Sequence, residues 1–251
     1  MVQASVGFHC PECAKRGAQK VYSGPAALQF RPVATMVLIA VNVAVFVYAF
    51  LVDGGNSLGG QIGELHLDYA LIGSLDPRVP LGVGHGEWYR MITSGFLHYG
   101  IIHIALNMYA LWILGGAVER MAGRTRMVLA YFFSILAGSL GALIIDPGSI
   151  TAGASGGVFG LMGTVLIVQR MQGVAFRDSP LIGVLAFNLI FTFGVSGISV
   201  GGHIGGLVGG ALAGWLLSIP QLRQVHKLLG PALIVVAGLG LIALGIGISA
   251  V

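Results

Sequence analysis

Ser155, His103, Asn107 and His203 are the residues of this chain whose types and spacing can do chemistry together. Acyl transfer needs a nucleophile, a base and donors for an oxyanion. Ser155 offers the nucleophilic hydroxyl, and one of the two histidines can take its proton. The other histidine and Asn107 can donate to the oxyanion, together with the backbone N–H of Ser155. His103 and Asn107 stand four residues apart, so a helix projects both from one face. No carboxylate accompanies them in the apolar runs of the chain, so the unit would be a dyad rather than a triad.

The elements that must position these residues are membrane spans. Of the 251 residues 56% are hydrophobic and only 9% charged, and the mean hydropathy is +0.90. A soluble enzyme would need far more polar surface, since soluble domains are about 25% charged. Disorder needs the opposite composition, and two cysteines cannot staple a chain of this length. The composition therefore predicts an all-α polytopic membrane protein. The 41 glycines predict a tight bundle, because glycine lets membrane helices approach closely.

Uncharged apolar runs predict seven spans: Val33–Val52, Ile101–Val118, Met127–Ile145, Ser155–Val168, Leu181–Val195, Val200–Ile219 and Pro231–Val251. The polar tail before the first run does not read as a cleavable signal peptide. A cytoplasmic N-terminus puts Lys15, Arg16, Lys20, Arg31, Arg120, Arg124, Arg126, Arg170, Arg177, Arg223 and Lys227 inside, leaving only Arg78 and Arg90 outside. The positive-inside rule selects that orientation and places the C-terminus outside. The net charge of +4 is then a topology signal, not a nucleic-acid signal. The long outer loop, residues 53–100, should be partly structured and partly interfacial, with Trp88 and Tyr89 at the headgroups.

His103 and His203 are the histidines that fall within the runs, both near the outer end of their span. Ionisable groups at that depth are functional hypotheses by default. The fourth run is short: 14 residues rise ~21 Å, against a core of ~30 Å. Ser155 at its start should therefore lie below the outer surface, after a re-entrant stretch that is buried or lines a wet cavity. A helix start favours a developing anion. Gly202, Gly206, Gly210 and Gly214 recur every fourth residue and should pack the sixth span closely on the fourth, within reach of proton transfer from Ser155 to His203. Phe159, one turn after Ser155, should pack on the imidazole. Asn42, Asn188 and Thr164 read as helix–helix glue, and Arg90 and Glu119 as structural. A serine at a helix start is ordinarily an N-cap; the two histidines lift Ser155 above that reading.

The stretch Gly153-Ala154-Ser155-Gly156 resembles the nucleophile motif of the rhomboid intramembrane serine proteases. His103 and Asn107 look like their H-x-x-x-N motif, and Gly202-His203 through Gly206 like their base-bearing helix. Glu87-Trp88-Tyr89-Arg90 and Phe96-Leu97-His98 are similar to the end of their first loop, and Glu119 to Gly123 to the segment after their second helix. The resemblance covers Val33 to Ile219. It implies a six-helix bundle with a wet outer cavity, plus one C-terminal helix as in some members. It also implies Ser155 as nucleophile, His203 as base, and His103 and Asn107 as oxyanion donors; Gly153 and Phe159 join these two as candidates for the oxyanion or substrate-binding site. The implied partners are single-pass transmembrane substrates in a lipid bilayer, cut after a small residue, with no cofactor. The chain then divides into a cytoplasmic tail (1–32), a protease core (33–219), and an inner linker with the seventh span (220–251), in the cell membrane.

Cys10 and Cys13 form a C-P-E-C hook beside His9. Two thiols are half of a structural zinc site, and some actinobacterial rhomboids resemble this segment while carrying more Cys and His upstream. Zinc on the tail stays open as an alternative to no metal. Two other functions compete with the protease. A catalytically inactive rhomboid-like scaffold or quality-control factor would typically lack the Ser or the His. A small transporter with a broken helix would carry charge at the midplane.

Overall fold

The computed structural model describes residues 2–3, 8–9, 30–53, 59–74, 80–219, 226 and 228–250. The chain divides into two units, Met1–Arg31 and Pro32–Val251. In the first, β1 (Val2–Gln3) pairs antiparallel with β2 (Phe8–His9), Val2 opposite His9. Cys10 and Cys13 lie outside the described residues.

The second unit is helical. Its elements are α1 (Val33–Val52), α2 (Glu64–Tyr69), α3 (Arg90–Thr93), α4 (Gly100–Ala122), α5 (Arg124–Ile145), α6 (Ser155–Met171), α7 (Leu181–Gly194), α8 (Val200–Ser218) and α9 (Leu229–Ser249). Among the described residues, α1, α4, α5, α8 and α9 are long and apolar enough to cross a membrane. The other two predicted spans form shorter helices, α6 of 17 residues and α7 of 14. All seven predicted runs are thus helices, in an all-α polytopic membrane protein. Polarity does not end a helix, so several run past their apolar run. Thus α4 continues through Glu119 and Arg120 to Gly123 (φ +87°), and α6 continues through Arg170 until just before Gly173 (φ +93°).

Helix α6 is buried on every side from Gly157 to Leu166, the pattern of a central helix. Its neighbour α8 carries two glycine ladders that serve different partners. A Cβ on Gly206 or Gly210 would strike the backbone of Gly156 or Gly160 in α6, and Gly214 lies against Thr164. A Cβ on Gly201 or Gly205 would strike Gly141 or Ala137 in α5. The predicted packing of the fourth and sixth spans is therefore present, and α5 flanks α8 on a second side. Thr164 Oγ1 reaches both Gly160 O (3.0 Å) and Gly210 O (2.8 Å) and so ties α6 to α8. Asn188, read as glue, instead bonds within its own helix, to Val184 O. Asn42 donates to Leu38 O of its own helix, and its side chain also lies against Tyr131 of α5, in keeping with the glue reading.

The long loop between α1 and α4 is built around a buried arginine. Arg90 is 1% exposed. Its Nε meets Glu87 Oε2 at 2.7 Å, and its Nη1 donates to Leu67 O (2.8 Å) and Ala70 O (2.9 Å). Burial works against the Glu87 carboxylate, but Arg90, the Gly82 N–H and the Tyr89 hydroxyl outweigh it and hold its pKa below the usual value. Trp88 stays exposed. At the other end, buried Glu119 accepts from Ala34 N (3.1 Å), Thr35 N (2.9 Å) and Thr35 Oγ1 (2.9 Å). A carboxylate there satisfies the orphan donors at the start of α1 and complements its dipole.

Candidate active site

The turn that carries Ser155 is held residue by residue by the long loop that precedes α4. Thr151 and Leu71 exchange both backbone bonds at 2.9 Å. Tyr99 Oη donates to Ile150 O at 2.9 Å, Gly153 N to Ser94 O at 2.9 Å, and Ala154 N to His98 Nε2 at 3.3 Å. The chain therefore re-enters as irregular backbone with its polar groups bonded inside the protein, as hydrocarbon surroundings require. Ser155 opens α6, whose first α-type bond runs from Val158 N to Ala154 O. The N–H groups of Ser155, Gly156 and Gly157 precede that bond and carry the positive end of the helix.

Gly153 has φ +141°, a conformation that favours glycine. A Cβ there would lie 2.9 Å from His103 Cε1 and Nε2, and 3.6 Å from Ser155 Oγ. The absence of a side chain thus lets His103 reach the serine turn. Because the Gly153 N–H is already given to Ser94, this glycine contributes space rather than a donor.

The two histidines differ in what their neighbours do to them. Tyr99 N donates to His103 Nδ1 at 3.3 Å, so Nδ1 holds a lone pair. In the neutral ring the proton then sits on Nε2, which faces the serine turn. Asn107 Nδ2 donates to His103 O at 3.0 Å and keeps a second N–H. His203 is stacked on Phe159, ring centroids 4.1 Å apart at 17°, as the one-turn spacing from Ser155 predicts. His203 Nδ1 is engaged at 2.8 Å by Thr192 Oγ1. No hydrogen bond among the described residues occupies His203 Nε2, and none joins it to Ser155 Oγ. Such bonds are often long before substrate arrives. Ser199 caps α8, its Oγ accepting from Gly202 N at 3.1 Å.

Sequence reasoning did not single out Thr192, Tyr99, Ser94 or His66, and met His98 only within a motif. His66 is stacked on Tyr99 (4.8 Å) and contacts His98 O through Nε2 at 3.3 Å. Burial lowers its pKa. Burial also holds His98 down to about 3 and lifts the Tyr99 phenol to about 12. These groups are therefore neutral at neutral pH. No local pattern marks them, since they act by touching a loop far along the chain. Among the described residues no cluster of His, Cys, Asp or Glu has the makings of a metal site.

A helical membrane unit with a half-buried serine at a helix start, and two imidazoles each held at Nδ1 by a different partner, defines a class of membrane protein with the groups for acyl transfer. Residues 85–220, just over half of the chain, match the family model described as the rhomboid domain, and the chain belongs to the rhomboid family. It is 36% identical over 158 residues to rhomboid protease GluP of Bacillus subtilis (strain 168), covering 62% of this chain and 31% of that protein. It is 36% identical over 128 residues to the putative rhomboid protease YdcA of the same organism, covering 49% and 64%. It is 31% identical over 136 residues to rhomboid-related protein 3 of Homo sapiens, covering 53% and 33%. The matched stretches span from about a third to under two thirds of these relatives' lengths.

Proposed function

We propose that this chain is an intramembrane serine endopeptidase that cleaves transmembrane segments through a Ser155–His203 dyad. The observation that carries the reading is the difference in partner at Nδ1 of the two imidazoles, a backbone N–H on His103 and the Thr192 hydroxyl on His203. His203, bonded through Nδ1, keeps Nε2 for a proton; His103, accepting at Nδ1, offers an Nε2–H. One is fitted to be a base and the other a donor. Membership in a family with named proteases supports the same assignment.

In the proposed reaction, Ser155 Oγ attacks the scissile carbonyl while its proton passes to His203 Nε2. The oxyanion receives N–H bonds from the Ser155 backbone, His103 Nε2 and Asn107 Nδ2. Collapse expels the amine, which takes the proton back from His203. Water, activated by the same imidazole, hydrolyses the ester. A helical substrate hides its carbonyls in i→i−4 bonds, so it must unwind at the site. Substrates should carry Gly or Pro in the outer third of their span and a small residue at the cut. The tail is cytoplasmic and the C-terminus external, as the basic residues demand, and the site opens to the outer leaflet.

The test is labelling by a fluorophosphonate probe in detergent, with turnover of a model transmembrane substrate. Wild type should label and cleave; Ser155→Ala and His203→Ala should do neither while unfolding at the same temperature. Turnover by either variant within about tenfold of wild type refutes the dyad, since removing one member of such a unit costs far more. A wild-type chain that binds transmembrane segments but never labels would be the inactive scaffold instead.

A further inference from the structure

Helix α7 presents Phe187, Ile190 and Phe193 outward, each more than 60% exposed. Its one buried residue is Thr192, 2% exposed. The Thr192 hydroxyl lies 2.7 Å from Asn188 O and 2.8 Å from His203 Nδ1. A hydroxyl has one proton and two lone pairs. Asn188 O can only accept, so the proton goes there. What remains toward His203 is a lone pair, and Nδ1 must then carry the proton.

We infer that Thr192 is the positioning residue for His203, holding the imidazole in the Nδ1–H tautomer with Nε2 turned to Ser155. This rests on the proposal that His203 is the base. A threonine bonded to the carbonyl four residues back is common in membrane helices, and alone it would say nothing. The second contact changes that, because the bond to the i−4 carbonyl orients the hydroxyl as an acceptor. A neutral oxygen here takes the place that a carboxylate holds in the serine-protease triad. Its hold strengthens when His203 becomes a cation during attack, since hydrogen bonds to a charged group are roughly twice as strong. The contact also joins the last turn of α7 to the first turn of α8, so displacement of α7 would release the ring.

The experiment compares Thr192→Val, which keeps the shape and loses the hydroxyl, with Thr192→Ser, which keeps the hydroxyl. Kinetics on a transmembrane substrate are combined with 15N NMR of histidine-labelled protein in detergent. In wild type, His203 Nε2 should resonate as a pyridine-type and Nδ1 as a pyrrole-type nitrogen. Thr192→Val should lose that pattern and lower kcat ~10–100-fold, as for loss of one hydrogen bond to a group that becomes charged. KM and unfolding temperature should not move, and Thr192→Ser should restore kcat. A wild-type spectrum with a pyridine-type Nδ1 overturns the inference. So does a Val variant that turns over like wild type, or a Ser variant as slow as Val. If wild type shows no Ser155-dependent turnover, the protease reading fails, and the NMR arm still decides whether Thr192 orients the ring.

Discussion

Gly206→Ala adds a single methyl group where α8 touches α6. The new Cβ would overlap Gly156 O and lie 2.8 Å from Gly156 C and 2.9 Å from its Cα. Carbon atoms pack at about 3.5–4.0 Å, so the helices must part by roughly 0.7 Å or more. Backbone cannot swing aside as a side chain does, and the displacement falls directly on the helices that carry Ser155 and His203. Gly156 follows Ser155, and Gly206 lies one turn beyond His203. Overpacking of this kind costs about 1–3 kcal/mol, and a misplacement of about 1 Å costs on the order of 10²-fold in rate. Gly206→Ala should therefore unfold earlier on heating in detergent and show kcat down by ~30–100-fold. Gly183→Ala in α7 is the control, because a Cβ there meets nothing within 4 Å. It should be neutral or gain up to ~1 kcal/mol from helix propensity. Equal activity and equal melting of the two variants would show that α6 and α8 do not owe their spacing to this glycine.

Other outcomes follow from the same geometry. His103→Ala and Asn107→Ala should each lower kcat by ~10²-fold with weakened probe labelling; normal turnover would leave the oxyanion to backbone N–H groups alone. Burial keeps the folded-state pKa of His98 near 3 against 6.5 in the unfolded chain. Its contribution to stability is thus complete above about pH 6.5 and shrinks as pH falls toward 3, by up to ~1.4 kcal/mol per pH unit. Melting in detergent should be acid-labile across that window and flatter in His98→Gln, and an unchanged slope would clear His98 of the effect. Glu119→Ala strips the start of α1 of its acceptor and should cost ~1–3 kcal/mol, read by thermal unfolding. A reporter fused after Val251 should be active outside the membrane and one at the tail inside; the reverse would invert the orientation.

Much of the architecture is legible in one dimension. Burial in hydrocarbon is decided residue by residue, so the apolar runs mark all seven helices, and Val33–Val52 coincides with its run at both ends. Spacing on a helix is local too. The i, i+4 pairs His103–Asn107 and Ser155–Phe159 and the four-residue glycine period can be read from the order of residues alone, and Phe159 does stack on His203. The resemblance of three ordered motifs carries the family.

The sequence by itself determined which segments are helices, that they lie in a membrane, and which few polar residues lie among them, because transfer energy and helical periodicity are properties of a short stretch of chain. Only the tertiary structure decided what each polar atom bonds to. Composition left the two histidines interchangeable. Tyr99 N on one Nδ1 and Thr192 Oγ1 on the other make them different. The split of the α8 glycines between α6 and α5 was equally hidden, since a period shows that a face is small, not what faces it. The same holds for the Ser155 turn, held by Leu71, Ser94, His98 and Tyr99 from a loop more than fifty residues earlier in the chain. Hydrogen bonds of that range exist only once the fold has brought distant segments together.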